Sequence, residues 1–132
     1  YDRFDPIRSW QVSFFTRPDS VAPGAVVATQ TTPRLDYMWY RPTVPNVPQA
    51  NFRIEASSTV SLPPGKYLLR TISDDAVRVW IDDKLAIDNW KPHESEINVA
   101  PISPGAHRLR VEYYQLTGWV ELRAEILRKP DL

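Results

Sequence analysis

The chain has 132 residues, with 13 prolines, 4 glycines, no cysteine and 5 tryptophans, and its 16 basic side chains balance 16 acidic ones. This length makes one self-sufficient domain, residues 1–132, while the missing cysteines exclude thiolate zinc sites, a cysteine nucleophile and a disulfide scaffold. The charge balance lacks the concentrated basic surface that nucleic acid requires, no apolar run approaches the ~18 residues of a membrane span, and proline at about twice its usual frequency disfavours long helices.

Apolar residues recur with period two through most of the chain. Strands are expected near Trp10–Thr16, Ala25–Gln30, Leu35–Tyr40, Phe52–Ala56 and Thr59–Leu62. Turn signals separate them at Arg17-Pro18-Asp19, at Pro23-Gly24, through the proline-rich Tyr40–Gln49, and at Pro63-Pro64-Gly65. Beyond Gly65 the alternation continues: Val77, Val79 and Ile81 flank Arg78; Leu109, Val111 and Tyr113 alternate with Arg108, Arg110 and Glu112; Val120, Leu122, Ala124 and Ile126 alternate with Glu121, Arg123 and Glu125. About ten short half-buried strands with tight turns describe an all-β antiparallel sandwich of Greek-key type with little or no helix. Trp10, Phe14, Tyr37 and Trp39 fall on alternating positions suited to its core.

Charge pairing suggests two registers. A two-residue loop at Thr117-Gly118 sets Glu112 opposite Arg123 and Arg110 opposite Glu125, with Tyr113 on Leu122 and Val111 on Ala124. A three-residue turn at Asp82-Asp83-Lys84 sets Ile81 on Leu85 and Val79 on Ile87, aspartate tolerating a left-handed backbone.

Asp74 and Asp75 end one strand and precede the next. Successive residues of an extended chain point to opposite faces, so the pair is badly placed to flank a glycosidic bond as acid and nucleophile. Converging on one point, they suit calcium, which takes oxygen ligands alone. Alternatively they shape a strand-end turn and cap backbone amides. His107 reads as a packed strand residue and His93 as part of a polar loop; neither joins a nucleophile, so the domain reads as non-catalytic. Trp90 and Trp119 stand beside polar loops, where an indole either stacks on a sugar or closes the end of the sandwich.

The run from Gly65 to Trp90, centred on Ser73-Asp74-Asp75-Ala76-Val77-Arg78-Val79-Trp80-Ile81-Asp82-Asp83, resembles the signature of the protective-antigen-fourteen domain. Trp10–Phe15, Leu35–Trp39 and Pro104–Tyr114 resemble its flanking strands. The resemblance implies a β-sandwich module excised from a larger secreted, cell-surface or periplasmic protein such as a glycosidase, adhesin, toxin or flocculin. In lectin-like members the two aspartates are joined by a cis peptide and bind calcium, which holds sugar hydroxyls, while an asparagine and carbonyls of a later loop complete the shell. That loop corresponds to Gln115–Trp119, with Gln115 near the asparagine position; Ala76 and Asp83 stand where glycine is frequent. The expected metal ligands are thus Asp74, Asp75 and Gln115, with calcium as cofactor, and the expected carbohydrate-binding residues are Asp74, Asp75, Trp90 and Trp119. The expected partners are a glycan and the other domains of the parent protein, the isolated domain being a monomer; the alternative is a structural or protein-interaction module without metal or sugar.

Overall fold

A computed structural model describes residues 1–16 and 24–130. The turn expected at Arg17-Pro18-Asp19, and Pro23 of the next turn signal, lie outside the described residues. The described residues form eleven strands: β1 (Asp2–Phe4), β2 (Trp10–Thr16), β3 (Val26–Thr32), β4 (Leu35–Trp39), β5 (Phe52–Leu62), β6 (Tyr67–Asp74), β7 (Ala76–Ile81), β8 (Lys84–Asn89), β9 (Glu96–Ile102), β10 (Gly105–Gln115) and β11 (Val120–Arg128). The described residues contain no helix long and apolar enough to cross a membrane.

Two antiparallel sheets face each other. The larger has the order β3-β2-β5-β10-β7-β8; in the smaller, β11 lies between β6 and the successive edge strands β1 and β4, and β6 leads to β9. The alternation read from the sequence is the pattern that fills the space between them. Trp10, Phe14, Ile54, Val111, Leu122 and Ile126 are almost fully buried, and Tyr37 and Trp39 join them, with the Phe14 and Tyr37 rings 5.4 Å apart edge to face. The two strands expected at Phe52–Ala56 and Thr59–Leu62 are one, because β10 ladders β5 without a break from Phe52 to Leu62, through its polar Ser57-Ser58-Thr59 centre, while β2 pairs its other side from Phe52 to Ser57.

The registers divide. At the β7–β8 turn Val79 does pair with Ile87, but Ile81 pairs with Lys84 and Trp80 with Leu85. The turn is two residues, not three: Asp82 and Asp83 both take positive φ (51° and 67°), as a two-residue hairpin demands, and a bulge between Val79 and Trp80 absorbs the extra residue. The β10–β11 pairing does not form. β10 lies in the larger sheet between β5 and β7, and β11 lies in the smaller between β6 and β4. Glu112 is paired instead with Arg78 and Arg53, and Arg123 with Asp36, so the charges that suggested a hairpin are satisfied by other strands.

This separation builds one end of the molecule. Four connections pass between sheets there: β4 to β5 through residues 40–51, β6 to β7 through Asp75 alone, β8 to β9 through residues 90–95, and β10 to β11 through residues 116–119. The ladder fixes their proximity, since Asp74 pairs with Glu121, Ala76 with Tyr114, Trp39 with Val120 and Phe52 with Gln115.

Candidate functional site

Asp75 is the pin of this end. Its side chain turns inward, 7% exposed, and each carboxylate oxygen accepts a backbone amide from a different crossing: Oδ1 from His93 N (3.2 Å) and Oδ2 from Leu116 N (3.0 Å). The fourth crossing is tied on by Asn51 N, which donates to the Leu116 carbonyl (2.9 Å). Asp75 therefore caps amides, as one of the two sequence readings held. Asp74 does not. Joined to Asp75 by a cis peptide bond, it is half-buried and its carboxylate accepts no hydrogen bond from the described residues. Burial and then the neighbouring Asp75 charge push the Asp74 carboxyl up to about 6.

The Asp74 carboxylate borders an open cleft of about 830 Å³ lined by Tyr40, Asp75, Pro92–Ser95, Thr117 and Trp119. The Tyr40 and Trp119 rings form one wall, their centroids 4.8 Å apart and tilted by 57°. Trp119 Nε1 donates to Glu121 Oε1 (3.1 Å), which also accepts from Ser95 Oγ (2.7 Å), so the indole is held in orientation by the β8–β9 crossing. Such a wall offers an angled aromatic surface beside a free anionic acceptor.

Below the cleft, Gln115 is fully buried. Its Nε2 donates to the carbonyls of Thr117 (2.9 Å) and Trp119 (3.0 Å), with that of Gly118 at 3.4 Å, while its Oε1 lies 2.5 Å from the Tyr113 hydroxyl, which also contacts the Asp74 carbonyl. Burial lifts the Tyr113 phenol well above its ordinary range, keeping that proton in place as the donor.

Of the residues singled out in the sequence, Asp74, Asp75 and Trp119 line this cleft, and Gln115 underlies it. Trp90 lies elsewhere. Its ring is stacked on the Arg78 guanidinium (3.8 Å) and set edge-on to Tyr114 (4.8 Å), on the face of the larger sheet turned away from the core. There Glu112, almost fully buried, holds Arg53 (3.4 Å), Arg78 (2.8 Å) and Arg110 together. Tyr40 was missed. Tyr37 and Trp39 face inward, so strict alternation sends Tyr40 outward, and it is 67% exposed.

The PA14 domain model matches residues 8–128. The chain belongs to the PA14 domain family. No curated protein matches it. Among solved structures, an anti-sigma factor domain-containing protein is 19% identical with a TM-score of 0.81 over 93% of this chain, which spans 44% of that protein's length. A PA14 sugar-binding domain from an RTX adhesin (12% identity, TM-score 0.66) is covered to 90% by 92% of this chain. The A domain of epithelial adhesin 9 from Candida glabrata, in complex with Galβ1-4GlcNAc (9% identity, TM-score 0.64), is covered to 88% by 96% of it. These likenesses establish the sandwich shared by PA14 domains.

Calcium, implied by the resemblance, takes about six to eight oxygens at about 2.3–2.6 Å. In this PA14 domain the loop carbonyls that would contribute converge on an amide nitrogen, and the Gln115 oxygen faces the opposite way, onto Tyr113. Among the described residues no three His, Cys, Asp or Glu side chains are grouped to hold a metal ion. The arrangement does not fit calcium.

Proposed function

We propose that this PA14 domain is a non-catalytic carbohydrate-binding module of a secreted or cell-surface protein, taking a glycan in the cleft where the four crossings meet. One observation carries the reading: the Tyr40 and Trp119 rings stand beside an Asp74 carboxylate that accepts no hydrogen bond from the described residues, at an open end of the sandwich. A sugar ring offers that wall an apolar face and offers the carboxylate a pair of hydroxyl donors. The sugar-binding and adhesin domains that share the fold across nearly their whole length support it. A glycan-array screen followed by calorimetry on the best hit tests it. Trp119→Ala and Asp74→Asn are each expected to weaken that hit at least tenfold; no hit, or a hit that both variants leave unchanged, refutes the assignment.

A second reading has its own observation. Edge strand β9 presents Ile97 (62% exposed), Val99 (53% exposed) and Pro101 in succession on its outer face, an apolar stripe suited to packing against another domain of the parent protein. Cross-linking from Val99→Cys to that neighbouring domain in the full-length protein would support it, and unreacted thiol in the assembled protein would dismiss it.

A further inference from the structure

We infer that Gln115 is a built-in occupant of the position a cation would need, so that ligand recognition at this cleft is independent of divalent metal. The inference deepens the carbohydrate reading of the same cleft, yet it is scored with calcium alone, and a domain that binds no glycan leaves it standing.

The geometry leaves one orientation for the amide. Reversing it would set Oε1 against the carbonyl oxygens of Thr117, Gly118 and Trp119 with no hydrogen between them, four acceptors in mutual contact. As placed, the two amide hydrogens satisfy the Thr117 and Trp119 carbonyls, and the amide oxygen meets the Tyr113 hydroxyl at 2.5 Å. Every polar atom of this buried side chain is satisfied, which a cation could improve only by first ejecting it. The carbonyls point at Nε2 from 2.9 to 3.4 Å, so no separate space for an ion exists between them and the nitrogen. Asp75 is committed as well, its two oxygens accepting the His93 amide and the Leu116 amide at the start of this loop. Side-chain length decides the matter. The extra methylene of glutamine carries its nitrogen into the ring of carbonyls, whereas asparagine at the same backbone position stops short and leaves them without a donor.

Calorimetric titration with calcium chloride to about 10 mM, above the weakest range of extracellular calcium modules, is the test. The wild-type domain is expected to give no saturable heat and no rise in Tm. Gln115→Asn is expected to bind calcium at least tenfold more tightly than the wild type, and Asp74→Asn in that background to abolish the gain. If Gln115→Asn is unfolded in metal-free buffer, recovery of a cooperative melt on adding calcium counts as the same gain. Saturable calcium binding by the wild type, or a Gln115→Asn variant as insensitive to calcium as the wild type, overturns the inference.

Discussion

Replacing Asp75 with alanine removes a side chain that joins three of the four crossings, and its cost can be worked from the two bonds it receives. A hydrogen bond to a buried charged group contributes roughly 1.5–3 kcal/mol, and both donors, His93 N and Leu116 N, lose their acceptor together. The bonds share one carboxylate and the loops relax partly toward water, so the terms do not add in full. A loss of about 3 kcal/mol is expected, about 10 °C in Tm for a domain of this size. Asp74→Ala is the internal control. Its carboxylate accepts no bond from the described residues, so its removal should stay within about 1 kcal/mol. Thermal melts by near-ultraviolet dichroism at one pH compare the two, and hydrogen exchange should lose protection at the His93 and Leu116 amides in Asp75→Ala alone. Equal destabilisation by the two alanines, or an Asp75→Ala variant within about 1 kcal/mol of the parent, refutes the division of labour between the aspartates.

Glu112→Ala leaves the buried Arg53 guanidinium beside Arg78 and Arg110 with Glu55, at 3.5 Å, as its one remaining acidic partner among the described residues. Urea denaturation should show a loss of about 3 kcal/mol, the exposed Arg110 contributing little, and a loss under about 1 kcal/mol would dissolve the hub. His107 and Asp82, joined at 2.5 Å, give a pH dependence. Burial draws the His107 pKa down, but its bonds to Asp82 and to the Ser103 carbonyl outweigh that and hold it raised; the Arg108 amide and then His107 hold Asp82 lowered. The histidine's contribution is therefore complete below its unfolded value of 6.5 and fades as pH rises through the higher folded one, while that of Asp82 is present above 3.8 and fades as pH falls. His107→Gln should show its largest stability deficit at about pH 5.5 and a smaller one at about pH 8.5; a deficit constant across both refutes the pairing. Trp90→Ala should cost about 1–2 kcal/mol, through its contacts with Arg78 and Tyr114, and leave glycan affinity untouched, the reverse of the effect on affinity expected for Trp119→Ala. Parallel melts and calorimetry on the two variants separate those outcomes.

How much of the fold could be read beforehand depended on whether a feature was local. Period-two alternation is a property of each strand alone, so Leu109, Val111 and Tyr113, or Val120, Leu122 and Ala124, could be placed on the core face without knowing their neighbours. The partner of each strand is not local. Arg110, Glu112, Arg123 and Glu125 make opposite-charge pairs in a β10–β11 hairpin as readily as in the sheets that form, and four residues between the strands are as compatible with a crossing as with a hairpin. What settles the choice is the presence of β5 and β7 around β10, and of β6 and β4 around β11. The Asp82-Asp83 turn went astray by one residue for a smaller reason. A bulge two residues upstream changes the pairing count without leaving a mark in the alternation of Val77, Val79 and Ile81.

The site was legible to the same degree and failed at the same boundary. Asp74-Asp75 stood out because two acids at a strand end are chemically conspicuous, but their separate roles depend on which loops arrive beside them: the amides of His93 and Leu116 come from crossings 18 and 41 residues away. Trp90 and Trp119 looked equivalent in sequence, each beside a polar loop. Trp119 ends the return from the larger sheet to the smaller and is swung into the cleft, where Glu121, itself bonded by Ser95, holds it; Trp90 leaves β8 on the side where Arg78 projects and is captured by that guanidinium. Gln115 shows the limit most sharply. Its place near an expected ligand position could be read from the chain, but the direction of its amide could not, because that is set by three carbonyls of a loop whose path depends on Gly118 (φ 82°) and by a phenol two residues earlier. A residue aligned with a ligand can therefore stand in for the ion it would be expected to bind, and only the donor and acceptor assignment of its buried atoms distinguishes the two.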